Sequence, residues 1–355
     1  MKKKNQNNFN LFKEKILNSL SRIFLSSFLV ISFFYVNPII INFFDKNFNN
    51  REFTNNSKKV LAYTLNSNDK NIDQDLSAKE EDILIDIFSL NQLESDTVRL
   101  SAATIIQLFE DTDYSLKDVR EKKLVKPVAL TLLPDEIKKI ENTKKRKEFF
   151  IQIVLPLIIK ENHNIKLDRK TLFAIINKSN NTASEINWLE KKYKQYGVRS
   201  KDLSTLKIRM DEIPVSLAIA QAAKETGWGT SRFAQEGNAL FGQWTWSGEG
   251  LKPKEADEGK GHKVMKFNIL QASVRAYQRN LNTHSTYKDF RKARAEFRDL
   301  NEPLDSVKLS KYLNKYAETG NQYVEVLQKI IEQNNLKDFD DAKLLPSSID
   351  LESLI

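Results

Sequence analysis

Between Ile23 and Phe44 the chain reads IFLSSFLVISFFYVNPIIINFF, 22 consecutive residues (23 to 44) without a charge. As a helix this stretch would be about 33 Å long, against a bilayer hydrocarbon core of about 30 Å. No polar face interrupts it, so a buried core helix is the poorer account. A cleaved secretory signal would have a shorter apolar region closed by small residues. Here Asn37-Pro38 leads instead into more Ile and Phe, so the expectation is an uncleaved signal anchor. Lys2, Lys3, Lys4, Lys13, Lys15 and Arg22 precede the span against Glu14 alone, whereas Asp45, Lys46, Arg51 and Glu52 come after it. The positive-inside bias puts residues 1–22 in the cytoplasm and the rest of the chain across the membrane.

The residues beyond the span must supply the function. The first of them, to about Ser77, are rich in Asn, Lys, Asp and Ser and read as a flexible tether. The 355 residues leave room for one or two further domains. With 10 glycines and 8 prolines in all, collagen-like and Pro/Gly-rich disordered classes are excluded. The absence of cysteine removes thiol nucleophiles, disulfide scaffolds and Cys-ligated metals. The three histidines, His163, His262 and His284, are too scattered for a zinc site or a Ser-His-Asp hydrolase. Neither a metal nor a cofactor is expected, and carboxylates are the chemistry left. The net charge of +9 suits an anionic partner such as nucleic acid, phospholipid headgroups or an acidic cell-wall polymer. The lysines are dispersed and no nucleic-acid module accompanies them, so no nucleic-acid partner is expected, and a solvated lysine-rich surface explains the charge equally well.

Periodicity is helical almost throughout. Helical spacing resumes over Glu80 to Phe109, and Phe149 to Ile159 (FFIQIVLPLII) reads as a short buried helix kinked at Pro156 and closed by Glu161-Asn162. Arg169 to Ile176 and Ile186 to Tyr196 are the next helices. One β excursion, a hairpin, is expected in Ser247 to Lys266, and Val324, Leu327 and Ile331 form a core stripe near the end.

The chemistry concentrates after Arg209. Asp211-Glu212-Ile213-Pro214 reads as a helix start, with acids at the positive end of the macrodipole, and Val215 to Thr226 as an Ala-rich helix stopped by Gly227. Glu225 falls in the last turn, where the negative end of the dipole raises a carboxyl pKa. Trp228 would add an apolar wall beside it. A carboxylic acid still protonated near neutrality is what a glycosidase needs to protonate a leaving oxygen, although a solvated Glu beside Lys224 satisfies the same spacing. The turn Gly237-Asn238-Ala239-Leu240-Phe241-Gly242 presents an amide and a ring. Asn238 could pair with a sugar N-acetyl group, and Phe241, Trp244 and Trp246 could offer flat faces, or Phe241 could pack in the core. Trp244 and Trp246 alternate on a strand, so only one can line a cleft.

The segment AQAAKETGWGTSRFAQEGNALFGQW resembles the signature of bacterial β-N-acetylglucosaminidases of glycoside hydrolase family 73, with a mannosyl-glycoprotein endo-β-N-acetylglucosaminidase-like domain, and especially their Bax-like branch. KPVALTLLPDEI, RKEFFIQIVLPLIIKEN, RNLNTHSTYKDFR and YAETGNQYVEVLQKII extend the resemblance over about Lys126 to Leu336. It implies a mainly α, lysozyme-like domain with a small β-hairpin lobe, preceded by the transmembrane helix. The divisions are then 1–22 cytoplasmic, 23–44 anchor, 45–77 tether, 78–125 helical extension, 126–336 glucosaminidase domain and 337–355 tail.

The implied activity is hydrolysis of the β-1,4 bond on the reducing side of N-acetylglucosamine in peptidoglycan. The enzyme would sit in the bacterial inner membrane with a periplasmic or extracellular domain. Glu225 matches the general acid. Trp228, Asn238, Phe241, Gln243, Trp244 and Tyr316 match or neighbour the substrate-binding positions. The family's second carboxylate has no unambiguous match among Glu249, Glu255, Asp257 and Glu258. Asp257, Glu258 and Tyr316 are the candidates, and retaining, inverting and acetamido-assisted routes all stay open. In the last of these, Asn238 or Tyr316 would orient the acetamido group. A histidine bonded at a helix end accounts for His284, and Arg275, Arg279 and Arg291 could meet wall carboxylates or solvent. A lytic transglycosylase of the same fold and a non-catalytic wall-binding anchor are the other function classes.

Overall fold

The computed structural model of the chain describes residues 83–87, 89–90, 98–245, 250–251 and 263–346. The expected anchor at 23–44, the tether, Trp246, Glu249, Glu255, Asp257 and Glu258 lie outside the described residues. Among those described, no helix is long and apolar enough to cross a membrane.

From Ala102 onward, apolar periodicity and capping residues divide the described chain into eleven α-helices. Ser101 caps α1 (Ala102–Asp111) and Ser115 caps α2 (Leu116–Lys122). Strand β1 (Leu124–Val125) leads to the long α3 (Thr143–Ile176). Helix α4 (Ala183–Gln195) starts with a reciprocal capping box between Thr182 and Glu185 and stops at Tyr196, as the spacing predicts. Next come α5 (Leu203–Arg209), α6 (Val215–Thr226) and α7 (Arg232–Gly237). The β excursion is a three-stranded antiparallel sheet, with β4 (Lys263–Met265) between β2 (Trp244–Thr245) and β3 (Gly250–Leu251). The C-terminal part holds α8 (Leu270–Thr283), α9 (Lys288–Asp299), α10 (Ser306–Ser310), α11 (Asn321–Gln333) and β5 (Lys343–Leu344).

Helix α6 is the centre of the core. Every residue from Val215 to Ala223 is buried, and the small side chains of Ala218, Ala220, Ala222 and Ala223 admit close neighbours: α3, α10, α11 and a 3-10 turn at Leu336–Phe339.

Two expectations about α3 fail together. It runs unbroken for 34 residues, so Glu161-Asn162 does not close it and Arg169–Ile176 is not a separate helix. Both polar residues are buried inside the helix because each has a tertiary partner. Asn162 Nδ2 donates to the Ile213 carbonyl at 2.7 Å and its Oδ1 accepts the Ile213 N–H at 3.2 Å. Glu161 accepts from Arg275 at 3.0 and 2.8 Å and from Gln271 at 2.8 Å. Pro156 cannot bond the Gln152 carbonyl four residues before it, and that carbonyl accepts the Tyr114 hydroxyl at 3.1 Å instead.

The start of α6 is also corrected. Asp211 and Glu212 do not serve its positive end. Asp340 does, from 124 residues away, accepting the Ser216 N–H and the Ser216 hydroxyl at 2.8 Å each. Burial lifts the Asp340 carboxyl to about 6, against the two Ser216 bonds that lower it. The expected tail from 337 is therefore tied into the domain as far as β5, which pairs in parallel with β1, and Phe339 and Ala342 are in the core. The extension is tied in likewise: Ile105, Phe109 and Val119 share that core, and all described residues fall in one compact unit, Gln74–Ile355.

Candidate active site

Helix α6 ends where the residues after it turn left-handed. Gly227, Trp228 and Gly229 all have positive φ (57°, 61° and 82°), and the N–H groups of Gly227 and Trp228 both return to the Ala223 carbonyl. Thr226 secures the turn, donating to the Ala222 carbonyl at 2.6 Å and accepting the Gly229 N–H at 2.8 Å. Glu225, in this last turn, is half-buried with its carboxyl held above the ordinary range. Burial is the main cause, opposed by a hydrogen bond from Tyr323 and by Lys224.

The apolar wall is not the one expected. Trp228 lies edge-on to Phe150, centroids 6.0 Å apart, with the Lys147 ammonium 4.9 Å over its ring. Tyrosines surround Glu225 instead. Tyr287, Tyr316 and Tyr323 all feel its charge, and burial pushes the Tyr287 hydroxyl up to about 12 and raises those of Tyr316 and Tyr323 well above the usual tyrosine value. From the other side Gly242 approaches with φ +61°, and a Cβ there would lie 3.3 Å from Glu225 Oε2. Any side chain at 242 would crowd the carboxyl.

Behind Glu225 runs a chain of buried hydrogen bonds. The Tyr277 hydroxyl donates to Gln221 Oε1 at 2.7 Å and Gln221 Nε2 donates to the Tyr323 hydroxyl oxygen at 3.1 Å, while the Tyr323 hydroxyl faces the Glu225 carboxyl and favours its ionised form. Gln221 and Tyr277 have no exposed surface, and Tyr323 keeps 1%. Tyr323 stacks on Tyr316 at 5.5 Å and 8°, and the Tyr316 hydroxyl donates to the Phe241 carbonyl at 2.9 Å.

The turn 237–242 is placed beside Glu225, but its side chains have structural partners. Phe241 is buried and stacked on Tyr277 at 3.8 Å and 8°, so its ring is no platform for a sugar. Asn238, buried and left-handed at φ 47°, donates from Nδ2 to the Phe267 carbonyl at 2.9 Å, fastening the turn to the segment after β4, while its Oδ1 has no hydrogen-bond partner among the described residues. The Gln243 carbonyl accepts the Met265 N–H at 2.7 Å, and Trp244 is registered opposite Val264. Tyr316, considered as a second catalytic group, has its proton committed to Phe241 and is far from ionising at neutral pH.

His284 ends α8, its Nδ1 accepting the Thr286 N–H at 3.3 Å, in keeping with a helix-end role. The three arginines considered for wall carboxylates are taken up internally. Arg275 pairs with Glu161, Arg279 with Asp86 and the carbonyls of Ile83 and Gln195, and Arg291 with the carbonyls of Leu281 and His284.

Sequence reasoning missed Gln221, Tyr277, Tyr287 and Tyr323. Gln221 was accessible as the residue four before Glu225 on the same helix face, and Tyr323 as the polar-tipped residue heading the stripe Val324, Leu327, Ile331.

The family model described as mannosyl-glycoprotein endo-beta-N-acetylglucosaminidase matches residues 203–336, from α5 to the 3-10 turn, and so spans Glu225 and all four tyrosines. Protein bax of Escherichia coli (strain K12) is 32% identical over 208 residues, which are 57% of this chain and 74% of that protein. No solved structure matches.

Proposed function

The chain belongs to the Bax-like glucosaminidase-domain family, and from that premise we propose that it is a peptidoglycan hydrolase cutting the β-1,4 bond on the reducing side of N-acetylglucosamine, with Glu225 as general acid. The observation that carries the reading is the Glu225 carboxyl itself. It is raised by burial, faced by Tyr323 and uncrowded at Gly242, where a Cβ would lie 3.3 Å from Oε2. Such an acid keeps a proton at higher pH than an exposed glutamate and can deliver it to the glycosidic oxygen as the bond to C1 breaks. The proton goes to the leaving hydroxyl of N-acetylmuramic acid, and water completes a new reducing end on N-acetylglucosamine.

Among the described residues no carboxylate acts electrostatically on Glu225, and Asn238 and Tyr316 are already bonded to backbone carbonyls. We propose Asp257 or Glu258, in the sequence between β3 and β4, as the second carboxylate.

Borohydride reduction of a peptidoglycan digest followed by mass spectrometry tests the cleavage. Reduced glucosamine termini are expected. Reduced muramic acid termini or a 1,6-anhydro product, lighter by one water, would overturn the bond assignment, and no new terminus over a range of pH would favour the binding-protein reading.

The anchor at 23–44 would hold this domain on the side of the membrane where peptidoglycan lies. Protease added to spheroplasts is then expected to digest the domain from about Ser77 onward and spare the N-terminus. Recovery of the intact chain in the soluble cytoplasm would defeat that topology.

A further inference from the structure

The hydrogen-bond chain behind Glu225 has a direction, and one residue sets it. Tyr277 is a neutral phenol in a fully buried site, so its single proton goes to the acceptor it meets, Gln221 Oε1, at 2.7 Å. That contact fixes the amide with Nε2 toward Tyr323 at 3.1 Å. An amide N–H only donates, so the Tyr323 oxygen accepts there and its own proton is left for Glu225. We propose that Gln221 is a positioning residue for the general acid: by holding Tyr323 as an obligate donor, it confines the Glu225 proton to the carboxyl oxygen that Tyr323 does not occupy. The inference rests on the assignment of Glu225 as the acid.

The surroundings hold Tyr323 in place. Gln221 and Glu225 are one helical turn apart on the same face of α6. The Tyr323 ring is stacked on Tyr316, which is itself tied to the Phe241 carbonyl, so Tyr323 cannot swing away without breaking the turn at 237–242. The relay also opposes burial. A donor to the ionised carboxylate favours that form and keeps the Glu225 pKa from climbing as far as desolvation alone would take it.

The test uses the full-length chain with Gln221→Leu, Tyr323→Phe and the double variant. Two readouts are needed: reducing-end release from soluble glycan fragments against pH, and the carbon-13 titration of the Glu225 carboxyl, assigned by its loss in Glu225→Gln. Gln221→Leu is expected to lower kcat about tenfold with KM unchanged and to move the alkaline limb and the titration upward by up to about one pH unit, the size of one lost hydrogen bond. The double variant is expected to be no worse than Tyr323→Phe, because Gln221 acts through Tyr323. Tyr277→Phe, which frees the amide to turn over without emptying the site, is the milder variant and should shift the titration the same way by less. An unmoved Glu225 titration in both Gln221→Leu and Tyr277→Phe, or additive losses in the double variant, would overturn the proposal. Because the titration needs no turnover, a chain that cleaves no glycan refutes the hydrolase reading while the carboxyl shift still decides the role of Gln221.

Discussion

Glu225→Gln is expected to lower glycan cleavage by about 10²- to 10⁴-fold, the range typical for loss of a general acid, while leaving the fold in place. The amide matches the carboxyl in shape, and its oxygen can still accept the Tyr323 hydroxyl. What it lacks is a proton that can leave. The effect on stability has the opposite sign. A carboxyl whose folded pKa is raised above its usual 4.5 contributes stability that is present below that value and lost as pH rises through the folded pKa. At any pH above that raised folded value the wild-type chain carries an ionised, half-buried carboxylate at some cost, and the amide removes it. Circular dichroism and thermal melts should show a variant at least as stable as the wild type. Near-wild-type cleavage by a variant with unchanged circular dichroism would remove Glu225 from the proposed chemistry.

The placement of Glu225 was legible because it depends on local punctuation. Pro214 and Gly227 bracket twelve residues of good helix formers, and the observed helix is Val215–Thr226. The partners of charged groups were not legible, because a side chain's partner is chosen by tertiary packing that short-range spacing does not encode. Asp211 and Glu212 stand where first-turn acids belong, yet the acid that bonds the first turn is Asp340. Arg275, Arg279 and Arg291 look like a basic surface, but each reaches an internal carboxylate or carbonyl. Phe241 and Asn238 were found in the right turn with the wrong role. Their motif positions them beside Glu225, while burial and stacking on Tyr277 make Phe241 part of the core and the Asn238 amide nitrogen ties the turn to Phe267. The tyrosine cluster was hidden for a related reason: its members come from α8, α11 and the residues just before α9 and α11, and only folding brings them together.

Asp211→Asn is expected to be the most damaging isosteric change in the core. Asp211 is 3% exposed and is the shared counter-ion of three arginines. Arg298 bonds both of its oxygens at 3.1 Å, and Arg169 and Arg294 lie at 3.7 and 3.8 Å. Arg294 has no exposed surface, and its Nε finds no hydrogen-bond partner among the described residues, so the Asp211 charge is its main electrostatic compensation. Burial pushes the Asp211 carboxyl up, but Arg294, Arg169 and Arg298 together bring it below its usual 3.8. Removing one member of such a buried set strands the others and costs about 3–5 kcal/mol. In a domain of this size that corresponds to a fall in Tm on the order of 10 °C. Exposed Asp299→Asn is the control and should stay within about 0.5 kcal/mol of the wild type. The pH dependence carries the diagnosis. A carboxyl with a lowered folded pKa contributes stability that is present above its unfolded value and lost as pH falls through the folded one. The gap between wild type and Asp211→Asn should therefore be constant at neutral pH and narrow as pH falls below the usual carboxyl value of 3.8 and on through the lowered folded one. A gap that persists unchanged to pH 3, or one under about 1 kcal/mol at pH 7, would show that the three arginines are compensated by some other group. Because Asp211 precedes the start of α6 while Glu225 sits in its last turn, glycan cleavage measured well below the lowered Tm should be retained, which separates this loss of stability from the loss of chemistry in Glu225→Gln.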